Sequence, residues 1–328
     1  MTPRVLCNFA IASCDPEGGI YIYRLLENGS CEQIKKLDMP SPMFMQLCDG
    51  KLWVALRAPF EDSPNSGVSA YDPASGERLG ELVSTQGVVA CHLVADGDDV
   101  YCANYVTGSV FKYPDVLVEH EGHGINPQRQ ERAHVHSTFL SPDKKYVISC
   151  DLGVDKVFVY DRELREISCA DVPAGSGARH VAFSADGKYL YCINEMSATV
   201  SVFAYCDGKL TYLSEVDLKP AGFDGQGKGS AIKMSADGKR MYLTERGSET
   251  VVLANVCGEK LEVLSHFACH GVEPRDFELL GGERFAACCN QFSDNVSFYS
   301  VADDGSLEHL YDLPLKTPIC VIPYDIEL

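Results

Sequence analysis

The clearest copy of a repeated pattern lies at residues 180–203. It reads His180-Val-Ala-Phe-Ser-Ala-Asp-Gly-Lys-Tyr-Leu-Tyr-Cys-Ile-Asn-Glu195, followed after one residue by Ser197-Ala-Thr-Val-Ser-Val-Phe203. Short apolar runs flank an Asp-Gly pair, which is the strongest short-range signal for a β-hairpin. A second polar turn then leads into another alternating run. The stretch therefore predicts three consecutive antiparallel strands joined by tight turns.

The same pattern recurs along the chain, and its period indicates the architecture. The residues equivalent to Gly187 follow one another at intervals of 47, 47, 43, 51 and 44 residues: Gly50, Gly97, Lys144, Gly187, Gly238 and Gly282. This period is typical of one four-stranded propeller blade. Lys144 departs from the glycine pattern, so we expect a different turn at that position.

Six repeats are complete, and the two ends of the chain supply a seventh. Val5–Ser13 and Gly19–Arg24 have the pattern of two middle strands, and Pro318–Pro323 has that of the missing strand. Joining them in one sheet would close a ring and remove its open edge. The sequence therefore predicts an all-β, seven-bladed β-propeller whose closing blade is shared by the N- and C-terminal strands, with residues 1–328 as a single domain. The glycine-rich stretch at residues 220–229 cannot form a regular strand and is expected to be a loop on one face.

Composition limits the partners. The 328 residues are 45% hydrophobic, which suits a large core, and 28 basic against 47 acidic side chains give a formal charge of −19. So acidic a surface repels nucleic-acid phosphates and anionic lipid head groups, and we expect neither nucleic acid nor membrane as a partner. An anionic ligand would need a local basic cluster that overcomes the overall field.

Cysteine usage favours a reducing compartment. The chain has 15 cysteines, an odd number, and several lie inside apolar strand-like runs: Cys102, Cys150, Cys192, Cys288 and Cys289. Buried reduced thiols behave in this way, so we expect a cytoplasmic protein. The apolar run at residues 5–13 is short and fits the repeat as a strand, so no signal peptide is expected. No apolar run approaches the ~20 residues of a membrane span.

A set of short motifs points to a known family. In chain order they are Cys91-His92, Ala103-Asn-Tyr105, His134-Val-His136, Asp151-Leu-Gly153 with Asp155-Lys-Val157, Gly175-Ser-Gly-Ala-Arg-His180, Asn194-Glu195, Arg246-Gly247, Pro274-Arg-Asp-Phe277, and Gln291 with Ser293-Asp-Asn-Val296. In this order and spacing the chain resembles the seven-bladed β-propeller lactonases. That family includes bacterial 6-phosphogluconolactonase and the fungal carboxy-muconate lactonising enzyme. The resemblance spans essentially the whole chain.

The resemblance implies a site at the mouth of the central tunnel. Family members place a His, an Arg, a Glu and a second Arg there, which correspond to His136, Arg179, Glu195 and Arg246. Further candidates for binding a small anionic substrate are His134, His92, Asn104, Lys233 and Arg275, with Arg57 and Lys228 as weaker ones. Two departures from the family pattern alter charge near this face: Ala231-Ile-Lys233 replaces Glu-Ile-His, and Leu56-Arg57 replaces an Asn-Glu pair.

The expected reaction is hydrolysis of a sugar lactone, foremost 6-phosphogluconolactone to 6-phosphogluconate, without a cofactor. Either His136 or Glu195 can activate water as a general base, and the sequence leaves that choice open. Arg179 and Arg246 would stabilise the oxyanion, so replacing Arg179 should slow turnover with little change in stability. A Gly-x-Ser-x-Gly nucleophile motif is absent, which disfavours a covalent route. Muconate-type lactonisation and a non-catalytic interaction platform are the alternatives.

Each candidate also has a structural interpretation. Arg179, Glu195 and Arg246 can form ion pairs between blades, and Asp155 is expected to fix a turn. His134 and His136 would point to one face of a strand, roughly 6.6 Å apart, where a His-x-His pair can hold zinc. No acidic third ligand adjoins them in the sequence, so we expect a polar tunnel lining and no metal.

Overall fold

The computed structural model describes residues 3–324, and every regular element in that part of the chain is a β-strand. The 28 strands are β1 Val5–Ser13, β2 Gly19–Leu26, β3 Cys31–Leu37, β4 Pro42–Cys48, β5 Lys51–Leu56, β6 Gly67–Tyr71, β7 Val83–Ser84, β8 Ala90–Asp96, β9 Asp99–Asn104, β10 Ser109–Lys112, β11 Val116–Glu119, β12 Val135–Leu140, β13 Tyr146–Asp151, β14 Lys156–Asp161, β15 Glu166–Asp171, β16 Ala178–Phe183, β17 Tyr189–Asn194, β18 Thr199–Cys206, β19 Lys209–Asp217, β20 Gly229–Met234, β21 Arg240–Glu245, β22 Thr250–Cys257, β23 Lys260–Ala268, β24 Pro274–Leu280, β25 Phe285–Asn290, β26 Asn295–Val301, β27 Leu307–Pro314 and β28 Pro318–Pro323.

The strands form seven antiparallel four-stranded sheets, which are the blades of a propeller. Blades 1 to 6 are β4–β7, β8–β11, β12–β15, β16–β19, β20–β23 and β24–β27, each ordered from the tunnel outwards. The innermost strands of neighbouring blades pack against one another around the ring. The prediction of an all-β, seven-bladed propeller is confirmed.

The closing blade joins the two ends of the chain. Its order is β28-β1-β2-β3, with β28 innermost and antiparallel to β1. Phe9 pairs with Pro323, and the backbone N–H of Tyr324 donates to the carbonyl of Asn8 at 2.9 Å. The prediction of a shared closing blade is also confirmed, and the ring has no open edge between its first and last blades.

The core is divided among the blade interfaces. Seven apolar clusters each fill the space between two neighbouring blades; one example packs Phe9 and Ile11 of β1 against Val296 and Phe298 of β26. Alternation along each strand places apolar side chains on both faces of a blade, because both faces meet a neighbour. This arrangement explains why the middle strands are apolar throughout.

The turn at Lys144 corrects the expectation from the sequence. The Lys144 N–H donates to the Ser141 carbonyl at 2.8 Å, as Gly187 does to Ser184 and Gly238 to Ser235, both at 2.9 Å. Lys144 has a φ of 57°, close to the 69° of Gly187. The turn is therefore the same as in the next two blades, and Lys144 occupies the left-handed region that glycine occupies there.

A backbone irregularity at the start of every innermost strand positions the site. Each of β4, β8, β12, β16, β20, β24 and β28 has a register shift against its neighbour within its first residues. Such a β-bulge leaves a residue without a partner and re-aims its side chain. His136, Arg179 and Arg275 are bulged residues of this kind, each the second residue of its strand.

Two irregular segments lie between the blades. Residues 120–134 connect β11 to β12, and residues 218–228 connect β19 to β20 and include most of the predicted glycine-rich loop. In the described part of the chain, no helix has the length and apolar character needed to cross a membrane.

Candidate active site

The mouth of the tunnel is lined by two sets of equivalent positions. One set is the residue that directly follows the second strand of a blade, and four of these residues line a cavity: Tyr105, Glu195, Arg246 and Gln291. The other set is the bulged residue of an innermost strand, which contributes Cys91, His136 and Arg275. Because the blades are related by rotation, equivalent positions meet at one end of the tunnel.

The cavity at this mouth, which we call the main pocket, has a volume of about 320 Å³. Its lining comprises Val89, Cys91, Tyr105, Arg129, His136, Glu195, Lys228, Arg246, Glu273, Arg275, Gln291 and Phe292. Four of these side chains are cations and two are carboxylates. A local excess of positive charge therefore exists on a chain whose formal charge is −19.

The mouth has an apolar half and a charged half. Met43, Cys91 and Ile319, the bulged residues of three consecutive blades, form a small apolar cluster with Tyr105 packed against it. Blades 3, 4 and 6 place His136, Arg179 and Arg275 at the corresponding positions. A bound molecule would therefore have charged groups on one side and an apolar surface on the other.

Glu195 is the centre of the charged half. Its Oε1 accepts a hydrogen bond from Nη2 of Arg129 at 2.5 Å. Its Oε2 lies 2.8 Å from Nη2 of Arg246 and 3.2 Å from Nε of Arg179. The carboxylate is buried, yet the guanidinium groups, foremost that of Arg246, hold the pKa of Glu195 well below its usual range. Glu195 is therefore a stable anion shared by three arginines.

Arg246 is held between two carboxylates and keeps one donor free. Its Nη1 donates to Oε1 of Glu273 at 2.6 Å, and its Nη2 also donates to the carbonyl of Gly229 at 3.0 Å. Its Nε is buried and has no hydrogen-bond partner among residues 3–324. Arg246 lines the main pocket, and its guanidinium therefore keeps one donor that no described residue satisfies.

Arg179 is not among the residues that line the main pocket. Its side chain is only 2% exposed, and its Nη1 donates to the carbonyl of Ser230 at 2.7 Å. Burial and the neighbouring Arg246 lower the pKa of Arg179 to about 9, so the group stays protonated at neutral pH. Arg179 holds Glu195 in place through the buried ion pair between them.

His136 is a buried, neutral imidazole at neutral pH. Burial, followed by the nearby Arg179 guanidinium, lowers the pKa of His136 well below its usual value. Its Nε2 lies 3.8 Å from Oε2 of Glu195, and its Nδ1 is without a partner among the described residues. Tyr105 packs edge-on against the ring. The imidazole is thus oriented by its neighbours and keeps a lone pair to accept a proton.

Arg129 is a site residue that the sequence reasoning missed. It lies in the 120–134 segment, and its Nη2 also contacts the hydroxyl of Tyr105 at 3.2 Å. The adjoining Gln130 is fully buried and donates from Nε2 to the carbonyl of Leu152 at 2.9 Å. His120, at the start of the segment, is fixed by Asp151 at 2.7 Å. The segment therefore presents Arg129 to the mouth from firm anchors.

The structure separates the candidate substrate-binding residues. Arg275 lines the main pocket, donates to Oε1 of Gln291 at 3.2 Å, and has no carboxylate within ion-pair distance among residues 3–324. His92 lies deeper, packed between Phe44 and Phe139. Lys233 is paired with Glu278 at 2.8 Å. Neither of these last two side chains lines the main pocket.

Asn104 and His134 are also away from the pocket lining. The amide of Asn104 donates to the carbonyl of Thr85, in the connection between β7 and β8, at 3.0 Å, and to Ser109 of its own blade at 3.1 Å. The ring nitrogens of His134 contact the carbonyl of Tyr105 at 3.0 Å and the carboxylate of Glu131 at 3.1 Å. Both residues stabilise the frame around the mouth, which gives them a structural role in the fold.

The His-x-His pair does not present two rings to the pocket. His134 precedes β12, whereas His136 is the bulged residue within it, so the regular two-residue alternation does not apply. In the described chain no group of three His, Cys, Asp or Glu side chains has an arrangement suited to a metal ion.

Some of the site residues that were not predicted could have been identified from the sequence, and others could not. Tyr105 and Gln291 occupy the same repeat position as Glu195 and Arg246, so the register of the repeat pointed to them. Glu273 directly precedes β24, next to the motif that contains Arg275. Arg129 lies in an irregular segment outside the repeat, and its sequence context carries no signal for the site.

Comparison with known proteins identifies the family. Residues 8–323 match the family described as "Lactonase, 7-bladed beta-propeller". A 6-phosphogluconolactonase of Bacillus subtilis is 31% identical over 281 residues, covering 78% of this chain and 80% of that protein. The solved structure of a periplasmic gluconolactonase of Pseudomonas aeruginosa is 28% identical, with a TM-score of 0.87 and coverage of 97% and 98%. A protein of Lactobacillus plantarum is 27% identical, with a TM-score of 0.89 and coverage of 97% and 99%. This chain belongs to the seven-bladed β-propeller lactonase family.

Proposed function

We propose that the chain hydrolyses a sugar lactone, foremost 6-phosphogluconolactone to 6-phosphogluconate. The observation that carries this proposal is the arrangement around one oxygen atom. Oε2 of Glu195 lies 3.8 Å from the imidazole of His136 and 2.8 Å from the guanidinium of Arg246. A neutral base and a cationic hydrogen-bond donor are thus held side by side in one pocket, which is what lactone opening by water requires.

The general base in this proposal is His136. Glu195 is in contact with three guanidinium groups, and its lowered pKa makes it a very weak base. The pKa of His136 is also lowered, so the imidazole is unprotonated at neutral pH and ready to accept a proton. The function of Glu195 is to position His136 and the arginines.

The oxyanion donor is Arg246 rather than Arg179. Arg246 lines the main pocket, and its buried Nε–H has no partner among residues 3–324. The polar contacts of Arg179 are to Glu195 and to the carbonyl of Ser230, and Arg179 is not part of the pocket lining. A donor that is fixed in place before the reaction stabilises the developing charge without reorganisation. Arg179 holds Glu195, and through it Arg246, in position.

In the proposed reaction, water adds to the lactone and its proton returns to the leaving oxygen. The His136 imidazole takes a proton from water, and the resulting hydroxide adds to the lactone carbonyl carbon. The carbonyl oxygen becomes an oxyanion that accepts a hydrogen bond from the Nε–H of Arg246. The ring C–O bond then breaks, and the imidazolium returns its proton to the leaving alkoxide. The carboxylic acid product loses its proton to solvent and leaves as a carboxylate.

The charge of the pocket supports an anionic substrate. Arg275 is a cation of the lining and has no carboxylate partner among residues 3–324. Its positive charge is therefore available to an anionic group of the substrate. The apolar half of the mouth, with Tyr105 and Cys91, suits the C–H face of a sugar ring. Muconate-type lactonisation has no comparable support, since the relatives with a named activity given above are gluconolactonases.

The test is a direct assay. Purified protein should hydrolyse 6-phosphogluconolactone faster than the separately followed spontaneous reaction at pH 7. His136→Gln should reduce the enzymatic rate strongly, while Glu131→Gln, which changes an exposed carboxylate near the mouth, serves as a control. Failure of the wild-type protein to exceed the background with several sugar lactones would refute the proposal.

We also propose that the protein works in a reducing, cytoplasmic compartment. None of the 15 cysteines, all of which lie within residues 3–324, forms a disulfide bond, and eight of them are buried. Burial raises the pKa of Cys102 and Cys320, among others, which keeps these thiols protonated and unreactive. Cell fractionation of the native host should recover the protein with cytoplasmic markers, and recovery with the periplasmic or secreted fraction would contradict this assignment.

A further inference from the structure

A second cavity opens beside the main pocket. This side pocket has a volume of about 270 Å³ and is lined by Arg129, Met196, Gln226, Gly227, Lys228 and Gly247. Arg129 and Lys228 belong to the lining of both cavities. The two cavities are therefore neighbours that share two cations as their common boundary.

The charge of the side pocket differs from that of the main pocket. Its lining contains two cations and no carboxylate, whereas Glu195 and Glu273 line the main pocket. Arg129 pairs with Glu195 and Lys228 with Glu273 at 2.7 Å, but both carboxylates are also engaged by Arg246. The Arg129 and Lys228 side chains remain 41% and 34% exposed. Their positive charge is thus only partly compensated, and it is accessible.

The titration of Lys228 agrees with this crowding of positive charge. Partial burial and the neighbouring Arg246 guanidinium lower the pKa of Lys228, although Glu273 opposes the shift. An anion bound next to Lys228 would relieve that unfavourable interaction. The proximity of Arg246 also means that a group in the side pocket lies near the proposed reaction centre.

The wall of the side pocket is built from close backbone contacts. A Cβ atom on Gly247 would lie 2.2 Å from the carbonyl oxygen of Gln226, so only glycine fits there. Glu245, fully buried, accepts hydrogen bonds from the backbone N–H groups of Gly247 at 2.8 Å and of Lys228. These contacts fix the wall of the side pocket, and the hydrogen bond to Glu245 fixes the backbone at Lys228.

We propose that the side pocket is a subsite for a phosphate monoester group carried by the substrate, bound between Arg129 and Lys228. The inference rests on the proposed lactonase function, because the lactone ring would occupy the main pocket beside His136 and Arg246. A phosphate dianion suits two converging cations and a lining without carboxylates. The subsite would make the enzyme prefer phosphorylated over unphosphorylated sugar lactones.

Equilibrium binding of reaction products tests the subsite without requiring turnover. Isothermal titration calorimetry on the full chain at pH 7.5 compares 6-phosphogluconate, gluconate and inorganic phosphate. Wild-type protein should bind 6-phosphogluconate more tightly than gluconate. Lys228→Gln should reduce that preference by about 10- to 100-fold, the effect of losing one hydrogen bond to a charged group. Lys228→Arg should keep most of the preference.

Two further variants keep the test specific. Met196→Glu places a carboxylate in the side pocket and should also lower the preference, without touching the pair between Lys228 and Glu273. Lys156→Gln is the matched control, because Lys156 is 35% exposed and is likewise paired with one carboxylate, Asp171. Its preference should equal that of the wild type. Circular dichroism of each variant establishes that the fold is intact.

The competition arm locates the phosphate. If the subsite is separate from the lactone site, inorganic phosphate should bind in the presence of saturating gluconate, and 6-phosphogluconate should displace both. Competition between phosphate and gluconate, or an unchanged preference in Lys228→Gln and Met196→Glu, would overturn the subsite. A wild-type protein that binds phosphate in this way but hydrolyses no lactone would refute the proposed function and leave the subsite standing.

Discussion

Nη2 of Arg246 lies 2.8 Å from Oε2 of Glu195, the same oxygen that faces Nε of Arg179 at 3.2 Å and Nε2 of His136 at 3.8 Å. One oxygen atom thus connects three neighbouring blades. Any change in the charge or position of Glu195 would move the proposed base and the proposed oxyanion donor together. This coupling gives the carboxylate a positioning role that an isolated ion pair would not have.

Glu195→Gln should therefore reduce stability as well as activity. The amide keeps the shape of the side chain but leaves Arg179 and Arg246 without their shared anion. Removing one partner of a buried ion pair typically costs about 3–5 kcal/mol, and we expect a loss of that size in urea denaturation. Glu131→Gln, which removes a half-exposed carboxylate near the same mouth, should change stability by less than about 1 kcal/mol. Equal stability of Glu195→Gln and wild type would contradict the central role of Glu195.

The pH profile of the reaction should report the lowered pKa of His136. Protonation of the imidazole removes the base, so kcat/KM must fall on the acid side. Since the pKa of His136 lies well below 6.5, the rate should stay level from neutral pH down past 6.5 and decrease only at lower pH. A stopped-flow pH series, corrected for spontaneous hydrolysis, provides the measurement. An acid limb centred at or above pH 6.5 would be inconsistent with a buried His136 as the base.

Replacing Arg246 and replacing Arg179 should have different effects on the reaction rate. Arg246→Ala removes the free donor, and we expect kcat to fall by about 10²- to 10³-fold, the usual effect of losing one oxyanion-hole donor. Both substitutions should reduce stability, because each side chain is buried and pairs with the buried carboxylate of Glu195. For Arg179 this revises the sequence-based expectation of little change in stability. Arg179→Ala leaves the proposed oxyanion donor in place and should therefore slow the single-turnover rate less than Arg246→Ala does. Guanidinium chloride denaturation together with single-turnover rates distinguishes the two roles.

The repeat made the fold predictable, and the same regularity made part of the site predictable. The family resemblance named His136, Glu195 and Arg246, and the repeat spacing placed them on one face, because equivalent positions recur in every blade. Arg129 could not, because its position depends on contacts of an irregular segment, such as that between Gln130 and Leu152. Spacing also did not show that Arg179 is buried outside the pocket lining, or that the amide of Asn104 is used by hydrogen bonds to Thr85 and Ser109.

Acid should destabilise the fold from about pH 6.5 downward. Burial lowers the pKa of His92, His136 and His180 well below the value in an unfolded chain. Below pH 6.5 the unfolded state therefore binds more protons than the folded state, and stability falls as pH falls. Each unit of pKa depression corresponds to about 1.4 kcal/mol. Urea denaturation at several pH values between 7.5 and 5 should show this slope.

Two variants assign that slope to the buried imidazoles. His92→Phe keeps an aromatic ring between Phe44 and Phe139 and should make the dependence on pH shallower. His123→Gln replaces an exposed histidine of the 120–134 segment and should leave the slope as it is in the wild type. The same slope in His92→Phe and the wild type would show that His92 does not contribute.

Lys144→Gly should stabilise the protein. Lys144 has a φ of 57°, in the region where Gly187 and Gly238, each at 69°, sit in equivalent turns. A non-glycine residue in this conformation costs roughly 1 kcal/mol, and glycine avoids that cost at the price of some unfolded-state entropy. In the ion pair with Asp96 the Lys144 side chain is 64% exposed, so the pair contributes little. We therefore expect a gain of about 0.5–1 kcal/mol in the free energy of unfolding.

Lys145→Gly, at the next position, has no positive φ to relieve and should lower stability, because glycine only adds freedom to the unfolded chain. If both variants lose stability equally, the positive φ of Lys144 does not strain the turn. The turns at Lys144, Gly187 and Gly238 would then share a hydrogen-bond pattern without any energetic advantage for glycine.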